Sequence, residues 1–160
     1  MTKSINLDQV IGYMAVLQSH RITYSMAGSR TGADGTADCS GALYAALRAG
    51  GATDAGYVLD TDTLPAWLAY NGFIEIASNG AWSAQRGDVF IWGEKSQSAG
   101  GNGHTGIFVN EREIINCNYP ENGIAIDQYH AFWEKAHRPY YRAFRYDAAN
   151  ARANQQVLDK

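Results

Sequence analysis

Residues 36–51, TADCSGALYAALRAGG, read as a helix that opens on a cysteine. Asp38 is placed to cap it, Leu43, Tyr44 and Leu47 make an apolar stripe, and Gly50 and Gly51 end it. On the N-terminal side, Asn6 and Gln9 have capping-box spacing, and Leu7, Val10, Ile11, Met14 and Leu17 recur at helical intervals as far as Ser19. Residues 24–37 between the two helices are rich in Gly, Ser, Thr and Asp and read as a loop. A third helix is expected over 63–70, with Pro65 in its first turn and Asn71 and Gly72 closing it. The pattern then changes. Segments 73–77, 89–92, 105–109, 114–118 and 140–146 are short, aromatic or β-branched, and separated by Gly, Asn, Asp and charged residues. Helices first and a mainly antiparallel sheet afterwards define an α+β fold. Residues 148–160 carry little apolar material and read as a linker or disordered tail, which leaves 1–147 as one domain.

The totals agree with a single domain, because 160 residues at 46% hydrophobic content can bury a proper core. A net charge of -3 without a strong run of either sign gives no basis for capturing nucleic acid. The first helix is interrupted by Asp8, Gln9 and Gly12, so it reads neither as a signal peptide nor as a membrane span. Cys39 and Cys117 are expected as free thiols. Ten Tyr and four Trp suit a groove for a sugar or peptide polymer, with Trp82, Trp92, Tyr119 and Trp133 as candidate walls and the core as their ordinary alternative.

Cysteine attacks as the thiolate, so Cys39 needs positive potential nearby. The helix start supplies unpaired N–H groups and the dipole, which favour an anion by up to about 1 kcal/mol. Asp38 pushes the other way, so a histidine partner is required. His20, His130 and His137 lie at a helix end or among aromatic and basic residues; His104 follows a glycine-rich turn and opens an alternating strand, which makes it the favoured base. A third group should orient its ring, and Asn116 and Asn118 on the next strand are placed to do so. The hairpin loop decides. An odd number of loop residues puts Asn116 and Asn118 on the face of His104, and an even number puts Cys117 there. We take Asn116, with Cys117 turned into the core. No HxxxH or HExxH spacing suggests zinc, GGNG before His104 lacks the Lys and helix of a phosphate loop, and Asp34, Asp38 and Asp54 do not form a calcium loop. No metal or cofactor is expected.

YS at 24–25, DCSG at 38–41, RGDVFIWG at 86–93, GHTG at 103–106 and IINCNY at 114–119 resemble, in order and spacing, the bacteriophage peptidoglycan hydrolase family (amidase family 5) of the NlpC/P60 superfamily. The resemblance covers nearly the whole chain before the tail. It implies a papain-like fold, Cys39 as nucleophile, His104 as general base, and Tyr24 beside the thiol for substrate positioning or oxyanion stabilisation. Asp38 and Ser40, flanking the thiol, complete that set. Close relatives have His where this chain has Asn116, whose side chain can still accept a hydrogen bond from imidazole. The resemblance further implies synthesis in the host cytoplasm without a signal peptide, action on bacterial peptidoglycan after release, and a wall-binding domain or subunit outside this chain. The expected reaction is N-acetylmuramoyl-L-alanine amide hydrolysis. A γ-D-glutamyl-L-lysine endopeptidase and an inactive wall-binding module are the alternatives.

Overall fold

The computed structural model describes residues 4–94 and 103–151. Helix α1 (Leu7–Ser19) starts where the Asn6 side chain accepts the Gln9 N–H at 3.0 Å, and buries Val10, Ile11, Met14 and Leu17. Each such side chain stabilises the fold by roughly 1.5–3 kcal/mol when fully buried. Two short parallel strands, β1 (Thr23–Tyr24) and β2 (Thr36–Ala37), follow in the stretch that reads as loop. They lead into α2 (Cys39–Ala49), which is buried on nearly every side, as a helix held between other layers must be. Helix α3 (Leu64–Tyr70) buries Leu64, Trp67 and Leu68.

The rest is one antiparallel sheet of β3 (Phe73–Ser78), β4 (Val89–Trp92), β5 (His104–Phe108), β6 (Glu113–Asn118), β7 (Gly123–Gln128) and β8 (Tyr141–Tyr146), in the order β3-β8-β4-β5-β6-β7. A short helix, α4 (Tyr129–Lys135), joins β7 to β8. Neither β7 nor α4 is among the elements expected from the sequence. Side chains alternate across the sheet, so two cores form. Val89, Ile91, Ile107, Ile115, Cys117 and Phe144 meet α1 and α2 on one face. Phe90, Trp92, Phe108 and Ile114 lie on the other, covered by Trp82, Tyr129, Phe132, Trp133 and Tyr141. Strand β4 is buried on both faces and sits in the middle of the sheet.

Residues 148–151 form a helical turn, and Ala151 is buried. It lies against Gly72, where a Cβ would come within 2.5 Å of its methyl. The ordered chain therefore passes the boundary expected at 147, on the strength of one alanine that hydropathy does not single out. Residues 152–160 and most of the glycine-rich approach to His104 lie outside the described residues. Among the described residues, no helix is long and apolar enough to cross a membrane.

Candidate active site

Cys39 is the first residue of α2, and the chain around it is fixed by DCSG itself. The Asp38 carboxylate caps the helix, one oxygen accepting the Gly41 N–H at 2.8 Å. Its other oxygen accepts from Nε of Arg30, whose remaining N–H groups reach the Ser40 hydroxyl at 2.9 Å and the Val58 and Leu59 carbonyls at 3.0 and 2.8 Å. Gly41 lets Arg30 come this close, since a Cβ there would stand 2.2 Å from the Arg30 carbonyl oxygen. The Cys39 sulfur faces the backbone N–H groups of Thr105 and Ser40. Burial, and then the Asp38 carboxylate, push the thiol up to about 12; the two N–H groups and Arg30 oppose this.

His104 opens β5, so the thiol lies against the N–H of the residue next to it. Phe108 pairs with Ile114 and the Val109 N–H donates to the Glu113 carbonyl at 2.8 Å, leaving the three residues 110–112, an odd number, as the turn. That register places His104, Gly106, Asn116 and Asn118 on one face and turns Cys117 to the opposite core, where its S–H donates to the Ala37 carbonyl. Nε2 of His104 is 2.9 Å from Oδ1 of Asn116. Asn116 is 0% exposed, and its Nδ2 donates to the Ala125 carbonyl at 3.0 Å and to Asp127 at 2.9 Å. With both N–H groups so engaged, Oδ1 must face the ring and accept, so Nε2 carries the hydrogen and Nδ1 keeps a free lone pair. The second glycine of GHTG makes room for this bond: a Cβ at Gly106 would be 2.9 Å from both Asn116 Cβ and the Phe90 ring. The imidazole packs among Phe90, Trp92 and Phe132 with ring centres 5.7, 5.2 and 5.7 Å away. Burial pulls it down to about 4, against the Asn116 bond and the Asp127 charge. Near neutral pH each group is thus uncharged, and the site holds a neutral thiol and a neutral imidazole.

A cavity of about 360 Å³ opens on His104, walled by Tyr24, Met26, Trp92, Asn118, Tyr119 and Phe132 among others. Tyr24 donates its backbone N–H to Asn122 and meets Tyr119 edge-on at 5.9 Å. Burial, followed by Cys39 and Asp38, raises its phenol to about 12, so the hydroxyl stays a donor. Tyr119 is 77% exposed at the mouth; Trp92, 5% exposed, backs the imidazole. Trp82 stands apart. It lines another cavity with Tyr129, Trp133 and Tyr141, and its indole N–H donates to Asp88. His130 pairs with Glu134 on α4, away from the thiol. Arg30, Phe132 and Asp127 are the neighbours that sequence reading misses: the first sits in a loop at φ 66°, and the others sit on elements with no expected pattern. Among the described residues, no three His, Cys, Asp or Glu side chains gather as a metal site.

The fold, with a helix opening on cysteine packed against an antiparallel sheet that carries histidine, is similar to that of a solved NlpC/p60 domain. The NlpC/p60 domain of the peptidoglycan hydrolase SagA superposes with a TM-score of 0.53 over 86% of this chain and 97% of that one, at 17% identity. The chain belongs to the bacteriophage peptidoglycan hydrolase family, whose sequence model matches residues 6–154. It is 40% identical over 154 residues to the lysin of Pneumococcus phage Dp-1, covering 96% of this chain and 51% of that protein. The chain therefore spans about half the length of this curated relative.

Proposed function

We propose that this chain is a cysteine-dependent amidohydrolase that cuts the N-acetylmuramoyl-L-alanine bond of bacterial peptidoglycan. The observation that carries the reading is the His104 to Asn116 hydrogen bond on the strand whose next N–H meets the Cys39 sulfur. Family membership and the likeness to a phage lysin support the substrate class. In the reaction, Nδ1 of His104 takes the thiol proton as sulfur adds to the amide carbonyl carbon. The N–H groups at the start of α2 and the Tyr24 hydroxyl receive the oxyanion, a role in which one donor is worth about 10²–10³ in rate. The imidazolium gives its Nδ1 proton to the departing L-alanine nitrogen, the C–N bond breaks and a thioester remains. Water, deprotonated at the same nitrogen, then releases the lactyl carboxylate and restores the thiol.

The base works only unprotonated, so lowering its pKa extends activity toward acid. The acid limb of kcat/KM is expected near the imidazole's own value of about 4, below the ordinary 6.5. An acid limb at or above the ordinary value would contradict the buried base. The bond is tested by mass spectrometry of fragments released from defined cell wall. A new free amine on L-alanine is expected; one on the α-nitrogen of lysine would instead make the chain an endopeptidase.

A further inference from the structure

Strand β7 supplies a carboxylate that the reaction above does not use. Asp127 pairs with Ile114 of β6 in the ladder, and its side chain turns toward Asn116 and Asn118. Aspartate is disfavoured in strands, and a half-buried carboxylate is costly unless donors surround it. Among the described residues no Lys or Arg forms an ion pair with Asp127; the amides of Asn116 at 2.9 Å and Asn118 at 3.3 Å donate to it, and the Glu121 carboxyl is hydrogen-bonded to it. Asn118 also donates to Asn116 Oδ1 and to Glu121, each at 2.9 Å. These bonds decide which way the Asn116 amide faces. Flipped, its oxygen would meet the Asp127 carboxylate and the Ala125 carbonyl, and its nitrogen would meet the Asn118 nitrogen.

We propose that Asp127 is a positioning residue for the reaction: acting through the Asn116 amide, its carboxylate holds His104 in the tautomer that presents a free Nδ1 to the thiol. The inference rests on the assignment of His104 as base and Asn116 as its orienter. It extends that assignment to a four-residue chain, Cys39, His104, Asn116 and Asp127, in which only the first two touch reacting atoms. Around the chain stand Glu121 from the turn after β6, Lys135 from α4, Asp38 and Arg30 beside the Cys39 thiol, and Tyr24 from β1. Glu121 is raised by burial and by its hydrogen bond with Asp127. The charge on Asp127 also pushes the imidazole up, in the direction that favours the imidazolium formed during attack.

Asp127→Asn keeps a hydrogen-bond acceptor for Asn116 and removes the charge, whereas Asp127→Ala removes both. On soluble muropeptides Asp127→Ala is expected to lose roughly tenfold in kcat with KM little changed. Asp127→Asn is expected to lose less and to move the acid limb to lower pH, because the charge that raised the imidazole is gone. In an Asn116→Ala background, Asp127→Ala should cause no further loss, since both act through one amide. Unchanged kcat and acid limb in both Asp127 variants, or losses that multiply in the double variant, would overturn the proposal. Should Asp127→Ala fail to fold, the acid limb of Asp127→Asn decides. Wild-type kcat in Asn116→Ala would instead refute the site assignment beneath it, so the two failures are distinct.

Discussion

Cys39→Ala is expected to abolish wall lysis, by about 10³-fold or more, while the domain stays folded. The large effect follows from what the sulfur does in the proposed reaction. Without it no thioester forms, and the remaining N–H groups can only polarise a carbonyl that nothing attacks. The small effect on stability follows from where it sits. Asp38 keeps its cap on Gly41 and its ion pair with Arg30, neither of which involves the thiol. Alanine is the best helix former at the vacated position. Cys39→Ser should behave alike, because a hydroxyl is a far weaker nucleophile near neutral pH. Turbidity of a cell-wall suspension and a thermal melt of the same sample check both halves. Substantial turnover in Cys39→Ala would sink the mechanism. Loss of activity with a chelator but not with a thiol alkylating reagent would point to a zinc amidase, and wall binding by the parent chain without release of amines would leave only a binding module.

The main elements were legible because periodicity reports burial. Helix α1 repeats apolar residues on one face, and Val10, Ile11, Met14 and Leu17 are its buried set. The hairpin between β5 and β6 was legible only up to its loop, since a one-residue slip would have exchanged Asn116 for Cys117. What the sequence hides is structure held by side-chain bonds rather than by apolar pattern. Helix α4 buries none of its residues and starts because the Gln128 side chain accepts from Ala131. Strand β7 keeps only Gly123 buried, and the two-residue strands β1 and β2 are too short to show alternation. Those elements carry Tyr24, Asp127 and Phe132, so the thiol and imidazole could be read while their surroundings could not. Trp82 lies apart from the thiol: it lines a cavity on the other face of the sheet, and its indole N–H donates to Asp88.

That aspartate gives the second large expected effect. Asp88 is 1% exposed at the start of RGDVFIWG and accepts four hydrogen bonds: Nε and Nη2 of Arg145 at 2.9 and 2.8 Å, the Trp82 indole at 3.2 Å, and the Gln85 N–H at 2.9 Å. Asp88→Ala strands these donors beside a guanidinium that the carboxylate had held. Breaking a buried ion pair from one side costs about 3–5 kcal/mol. Arg145 keeps 34% of its side chain in solvent, so water relieves part of this and the low end, about 3 kcal/mol, is expected. Urea denaturation should show a lower midpoint at unchanged slope, and Trp82 supplies the fluorescence signal. Arg145→Ala should cost at least as much, because the group it abandons is the one out of water. A loss below about 1 kcal/mol for Asp88→Ala would mean that solvent reaches the site freely. The folded fraction of the variant should keep the parent's kcat, since Asp88 and its partners lie outside the cavity that opens on His104. The aspartate of a motif that carries family resemblance would then be shown to hold the sheet rather than to perform the chemistry.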